Sequence, residues 1–164
     1  MKNLLILFLL SAFAFAACEG GSTNADQSDE PSAEEAMEAE TALYKKVMEV
    51  HDEVMPKMGD LNRVKRNLEQ KAEEMPGQVD TVAVAQTVAA IEAAENGMMD
   101  WMQGISKHRP ETMREAGESH EAIMEALNQE LESIEKVRDD MMSSLQKGQQ
   151  MLQTDAAGGT DAEQ

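Results

Sequence analysis

The chain has 164 residues, of which 32 are acidic and 14 basic, and its formal net charge at pH 7 is −18. A charge of that sign repels nucleic acid and anionic lipid, so neither is expected as a partner. Aromatic residues make up only 3% of the chain, so Leu, Ile, Val, Ala and Met must build the core.

Residues 1–17 are predicted to be a signal peptide, because Lys2 precedes an apolar run at 4–15 and then small residues. The run is too short for a membrane span. Cys18 follows at once and has no disulfide partner in this chain, which favours lipid attachment to its sulfur. "FAAC" resembles the bacterial lipobox, with Phe15 where Leu, Val or Ile is usual. The alternative is cleavage after Ala16, which would leave a free thiol.

A flexible tether is predicted over residues 18–35 and a disordered tail over 153–164, because both are rich in Gly, Ser, Asp and Glu. Residues 36–152 between them amount to one domain. Cleavage after residue 17 would remove one lysine and no acid, so the mature charge becomes −19. Solubility and attraction of cations are both consistent with that charge. The mature part also keeps 13 of the 14 methionines.

Three amphipathic helices are predicted, at about 36–75, 80–104 and 117–152, because apolar residues recur at spacings of three and four. Pro76–Gly77 ends the first helix, and Asp80 is the expected N-cap of the second. Ser119 is a candidate cap for the third. The short loops favour an all-α, antiparallel up-down-up three-helix bundle with disordered ends. A dimeric coiled coil would show similar spacing, but the two breaks favour folding back.

Pro56 interrupts the first helix, since it has no N–H to donate to the carbonyl of Asp52. A kink is therefore expected at this position. It falls within "HDEVMPKM", residues 51–58, where His51, Met55 and Met58 share one helix face.

Antiparallel pairing about the two predicted turns places two His–Met pairs at one level of the bundle. Counting from the first turn puts Met98 and Met102 opposite residues 51–58, and counting from the second puts Met102 level with His120. The predicted cluster contains His51, Met55, Met58, Met98, Met102, His120 and Met124.

Thioether and imidazole ligands together suit Cu(I), so these seven residues are the candidate metal site and Cu(I) the candidate cofactor. Zinc fits less well, because its structural sites need thiolates or several histidines. A harder ion helped by Glu95, Asp100 and Glu121 stays open. Ordinary core packing is the competing interpretation, since methionine commonly fills gaps in helical cores.

The chain carries no motif that indicates an enzyme. "HEAIM", residues 120–124, differs from the zinc-protease motif H-E-x-x-H because Met124 replaces the second histidine. The sequence shows no Gly-rich phosphate loop, and apart from Cys18 it has no cysteine for thiol chemistry.

"VMEVHDEVMPKMGDLNRVKRNLE" followed by "NGMMDWMQ" resembles a family of small helical lipoproteins from Bacteroidota and related marine bacteria, often labelled "viral A-type inclusion protein". The similarity covers roughly residues 44–145. It implies an envelope location and a helical architecture, with no established activity. The signature residues that it implies are His51, Asp52, Met55, Met58, Met98, Met99, Trp101 and Met102.

Two functions follow as hypotheses. The first is a structural or partner-docking lipoprotein without catalytic activity, anchored through lipid on Cys18 in the bacterial envelope. Glu19 favours the outer membrane by analogy, with the domain facing the periplasm or the cell surface. The second is binding or sequestration of Cu(I) or Ag(I) through the His/Met cluster. The partner and the oligomeric state stay open.

Overall fold

The computed structural model describes residues 31–157, with side chains described as far as Thr154. The predicted signal peptide, Cys18 and most of the predicted tether lie outside the described residues, as does the end of the predicted tail. Within the described part all elements are helical, which confirms the predicted all-α class. The elements are α1 (Ala33–Val54), α2 (Lys57–Glu74), α3 (Thr81–Ile105), a 3₁₀ helix (Ser106–His108), α4 (Pro110–Glu115) and α5 (His120–Ala157). None of these helices is both long and apolar enough to cross a membrane.

Side-chain caps explain where two of the helices begin. The Ser32 hydroxyl accepts from the backbone N–H of Glu35, and the Glu35 carboxylate accepts from the backbone N–H of Ser32, which makes a capping box. The Ser32 hydroxyl and, after it, the Ser32 backbone N–H interact with the Glu35 carboxylate and lower its pKa. Helix α1 therefore begins at Ala33, three residues before the predicted start. Asp80 caps α3 by accepting from the N–H groups of Val82 and Ala83.

The first long helix is interrupted at Met55 and Pro56, where α1 ends and α2 begins. The Met55 N–H still donates to the carbonyl of His51, at 2.8 Å. Pro56 has no N–H to give to Asp52, and the next turn is closed by the Met58 N–H on the Met55 carbonyl, at 3.2 Å. The break therefore falls between Met55 and Met58.

Helix α5 contacts α1, α2 and α3, and α2 also contacts α3. Lys65 on α2 meets both Glu92 and Glu95 on α3, and the Ser144 hydroxyl on α5 donates to the Ala90 carbonyl. Helix α3 also meets α1, since the ring of His51 on α1 stacks on Trp101 on α3.

A close approach of α5 depends on one glycine. A Cβ atom added to Gly148 would collide with Val64 on α2 and touch Leu68 and Ile91. The absence of a side chain at this position lets α5 fit against both α2 and α3. The core around it consists of Val47, Val54, Leu61, Val64, Leu68, Val84, Ile91, Ala94, Met98, Trp101, Ile105, Ile134, Met141 and Leu145.

The connection before α5 differs from the predicted short loop. Residues 106–115 form the 3₁₀ helix and α4, then Gly117 turns the chain with φ +89°, and Ser119 accepts from the Ala122 N–H. Helix α5 begins at His120 and continues to Ala157, into the predicted tail. The extra helical turns change the alignment of α5 with α3. A Cβ at Gly97 would lie 3.9 Å from Val137, whereas the sequence-based pairing placed Met98 beside Met124. The observed alignment of α5 with α3 therefore differs from the predicted one by about a dozen residues, or roughly 18 Å along the helix.

Candidate functional site

His51 lies at the end of α1 against α3. Its ring stacks on the indole of Trp101, with 5.6 Å between ring centroids and 27° between planes. Its Nδ1 atom is 2.9 Å from Oδ1 of Asp52, and its side chain is 16% exposed. A carboxylate at Nδ1 favours the tautomer with a proton on that nitrogen, so the lone pair lies on Nε2. His51 can therefore offer Nε2 as a ligand atom.

Four of the predicted methionines lie on the helices that meet at His51 and Trp101. Met98 is fully buried in the core, while Met55, Met58 and Met102 are half-buried and pack against that core. Met102 lies seven residues after Glu95, which places the two within about 20° on the α3 surface. Glu95 contacts Lys65 on α2, so this side of α3 faces the first long helix.

His120 and Met124 do not join this group, which corrects the predicted seven-residue cluster. The Nδ1 atom of His120 is 2.9 Å from Oε1 of Glu40 on α1. Glu40 precedes His51 by eleven residues, or about 16 Å along the helix. The cause is the helical connection at 106–119, which shifts α5 relative to α3. His120 therefore lies near Glu40 and away from the level of His51, and Met124 follows it by four residues on α5.

Glu40 is a buried ionisable residue that the sequence analysis did not identify. Its side chain is 2% exposed, with Oε2 lying 3.0 Å from Nε of Arg114 on α4. This ion pair is close, but its angles do not make a hydrogen bond, and neither atom has another partner among the described residues. The sequence feature that could have identified Glu40 as buried is its position. It precedes Val47 by seven residues and so continues the apolar stripe of the first helix.

All three histidines bind a carboxylate through Nδ1. Besides His51 and His120, His108 lies with Nδ1 2.6 Å from Oε1 of Glu130. A carboxylate in that position orients an imidazole and raises its basicity as a ligand. His51 lies where the first long helix, with Met55 and Met58, meets α3, with Met98 and Met102.

Glu95 and Glu121, two of the three carboxylates considered for a harder ion, have other partners. Glu95 binds Lys65 at 3.2 Å. The pKa of Glu121 is lowered by its own backbone N–H and by the Ser119 hydroxyl, as expected for a residue in the first turn of α5. Within residues 31–157, no three His, Cys, Asp or Glu side chains are grouped so that they could hold a metal ion.

Comparison of the chain with family models, with curated proteins and with solved structures gives no match.

Proposed function

We propose that this protein is an envelope lipoprotein without catalytic activity, whose helical domain docks on a partner with a basic surface. Lipid on Cys18 would hold it, in the outer membrane, with the domain facing the periplasm or the cell surface. The proposal includes the predicted up-down-up three-helix bundle with a kinked first helix. Its support is the set of contacts that α5 makes with α1, α2 and α3.

Internal ion pairs engage many of the basic side chains of the described helices. They include Lys45–Glu49, Arg63–Asp60, Lys65–Glu92, Arg114–Glu40, Lys136–Asp140 and Arg138–Asp139. Acidic residues outnumber basic ones by more than two to one in the chain, so many carboxylates are left facing solvent. Such a surface favours association with a positively charged partner.

One face of α5 carries the single observation on which the docking proposal depends. Glu121, Glu125, Glu132 and Asp139 are all exposed. At 100° per residue they lie within about 40° of one line, along about 27 Å of helix. None of the three glutamates forms an ion pair with a lysine or arginine of the described residues. We call these four residues the acidic face of α5, and it offers a continuous surface for a basic partner.

A photo-crosslinking experiment in cells tests the docking proposal. A photoreactive residue is introduced at Asn128, which is exposed between Glu125 and Glu132, and separately at exposed Gln86 on α3. We expect a discrete adduct from position 128 that is absent from position 86. Changing Glu121, Glu125 and Glu132 together to Lys should abolish it, because the partner would then meet like charge.

The matched control changes Glu69 and Glu73, exposed on α2, to Lys. It should keep the adduct from position 128. An adduct that persists after charge reversal on α5, or that the α2 control also removes, would mean that the acidic face serves solubility and not docking.

Anchoring is tested separately by Cys18→Ser. The native chain should sediment with membranes and carry acyl mass, whereas the variant should appear in the soluble fraction, because two or three acyl chains are needed for stable anchoring. Sedimentation of the variant together with a native chain that lacks acyl mass would refute lipid attachment at Cys18.

A further inference from the structure

We infer that His51 is the centre of a binding site for a soft monovalent cation, Cu(I) or Ag(I), with Met55, Met58 and Met102 as its thioether ligands. The set is smaller than the seven residues predicted from sequence, because His120 binds Glu40, Met124 follows it on α5, and Met98 is fully buried in the core. This inference is independent of the docking proposal, since it concerns other residues and another ligand.

The nitrogen ligand is prepared by two contacts. Asp52 holds Nδ1 of His51, which leaves Nε2 with a lone pair, and Trp101 holds the ring plane by stacking. Both contacts fix the imidazole before an ion arrives, so less side-chain freedom is lost on binding. A cation on Nε2 would also draw electron density from the imidazole and strengthen its attraction to the indole face.

The sulfur ligands come from both sides of the contact between the first long helix and α3. Met55 and Met58 follow His51 at four and seven residues. The backbone angles of Met55 and Pro56 stay in the right-handed helical region across the break, so both methionines keep within about 40° of the direction of His51. Met102 occupies the side of α3 that carries Glu95. The ion pair of Glu95 with Lys65 aligns residue 102 with the region of Met58 on the first long helix. All three methionines are half-buried, so an ion can reach them, whereas Met98 is fully buried and completes the core beneath.

The break at Pro56 gives this region freedom that a continuous helix would lack. The carbonyl of Asp52 receives no helical N–H from Pro56, and the turn between Met55 and Met58 is closed by one 3.2 Å hydrogen bond. Small changes here can bring Met55 and Met58 toward His51 without unwinding α1 or α2.

The ligand set selects the ion. One imidazole and three thioethers add no charge, and soft thioether sulfur suits Cu(I) and the similarly soft Ag(I), whereas Mg²⁺ and Ca²⁺ prefer oxygen ligands. Zn²⁺ sites use thiolate, imidazole and carboxylate ligands. Asp52, next to the ring, supplies one negative charge near a monovalent ion. An exported, methionine-rich chain with this arrangement can hold such an ion without cysteine.

The test uses the chain from residue 18 onward with Cys18→Ser in every sample, so that the thiol cannot bind the ion. Cu(I) is titrated without oxygen against a coloured Cu(I) chelator, and Ag(I) is titrated separately. Trp101 is the only tryptophan, so its fluorescence reports directly on the ring that stacks on His51. We expect one ion per chain, withdrawn from the chelator, with a change in Trp101 emission.

His51→Phe keeps an aromatic ring against Trp101 but removes Nε2, and it should weaken binding at least tenfold. Met55→Leu and Met102→Leu should weaken it as well. The matched controls are Met99→Leu, an exposed methionine beside Met98, and Met124→Leu beside His120, and both should bind as the parent does. Circular dichroism checks whether each variant is folded. Where a variant is not folded, Gln is introduced at the same position instead.

Three results would overturn the site. One is failure to take Cu(I) from the chelator at any ratio. The second is unchanged affinity in folded His51→Phe. The third is equal loss in Met99→Leu, which would indicate nonspecific binding to surface sulfur.

Discussion

The Nδ1 atom of His120 lies 2.9 Å from Oε1 of Glu40, although the two residues are 80 positions apart in the chain. This contact joins the first turn of α5 to the middle of α1, and Arg114 on α4 approaches the same carboxylate from a third helix. One buried carboxylate thus links α1, α4 and α5.

Replacing Glu40 should destabilise the domain more than an ordinary surface change. Glu40→Gln removes the negative charge that faces His120 and Arg114, and because both partners are partly exposed to solvent the loss is about 1–2 kcal/mol. Urea unfolding measures the difference. Glu38→Gln, exposed two residues earlier, is the control and should change stability by less than about 0.5 kcal/mol. Equal stability of the two variants would show that the Glu40 network does not hold the helices together.

Gly148→Ala should destabilise the protein although alanine favours helices. The new methyl group would meet Val64, Leu68 and Ile91, and overpacking of this kind costs about 1–3 kcal/mol. Gly59→Ala on α2 is the control, because nothing lies within 4 Å of its added Cβ, and it should be neutral or stabilising by up to about 1 kcal/mol. A melting temperature for Gly148→Ala at or above that of the parent would contradict the close approach of α5.

Pro56→Ala should be neutral or destabilising. In an ordinary helix interior, replacing proline gains about 3 kcal/mol. Here α1 and α2 are separate helices that both pack against α5. If they became one straight helix, either α1 or α2 would have to move away from α5. Thermal unfolding measures the melting temperature of the variant, and Pro76→Ala in the exposed turn is the comparison. A clear rise in melting temperature would show that the break is tolerated and has no structural role.

The ion pairs of Lys65 should make stability depend on alkaline pH. A hydrogen bond to Glu95 and the nearby Glu92 raise the pKa of Lys65 above 10.5 in the folded state. A raised pKa contributes stability that is complete below 10.5 and is lost as the pH rises through the folded-state pKa. Lys65→Met should therefore be less stable than the parent at pH 8, by up to about 1 kcal/mol.

The difference between Lys65→Met and the parent should shrink above pH 10.5, as the parent lysine loses its proton. Urea unfolding at several pH values measures it. Lys107→Met, at an exposed lysine in the 3₁₀ helix, should give the same difference at every pH. A Lys65→Met difference that stays constant from pH 8 to pH 11 would exclude a role for the lysine charge.

Local signals in the sequence were enough to predict the helical class, the cap at Asp80 and the position of the break. Each depends on residues within one or two turns: a side chain that accepts backbone N–H groups, or a proline that lacks one. The shared face of His51, Met55 and Met58 is likewise a property of one helix. The approach of His51 to the region of Trp101 could be predicted from the sequence, because the first turn, at Pro76–Gly77, is short and leaves little freedom in how the flanking helices align.

Only the tertiary structure decided where α5 lies along α3. Residues 105–116 were predicted to be a loop, but the 3₁₀ helix and α4 form there and take up length before α5 begins. Every residue of α5 is thereby displaced relative to α3, so His120 meets Glu40 and not Met102. The same packing decided that Glu40 is buried, because burial depends on what covers a position. A helical pattern gives the direction of a side chain around its own axis, but alignment with a distant helix depends on the conformation of everything between them.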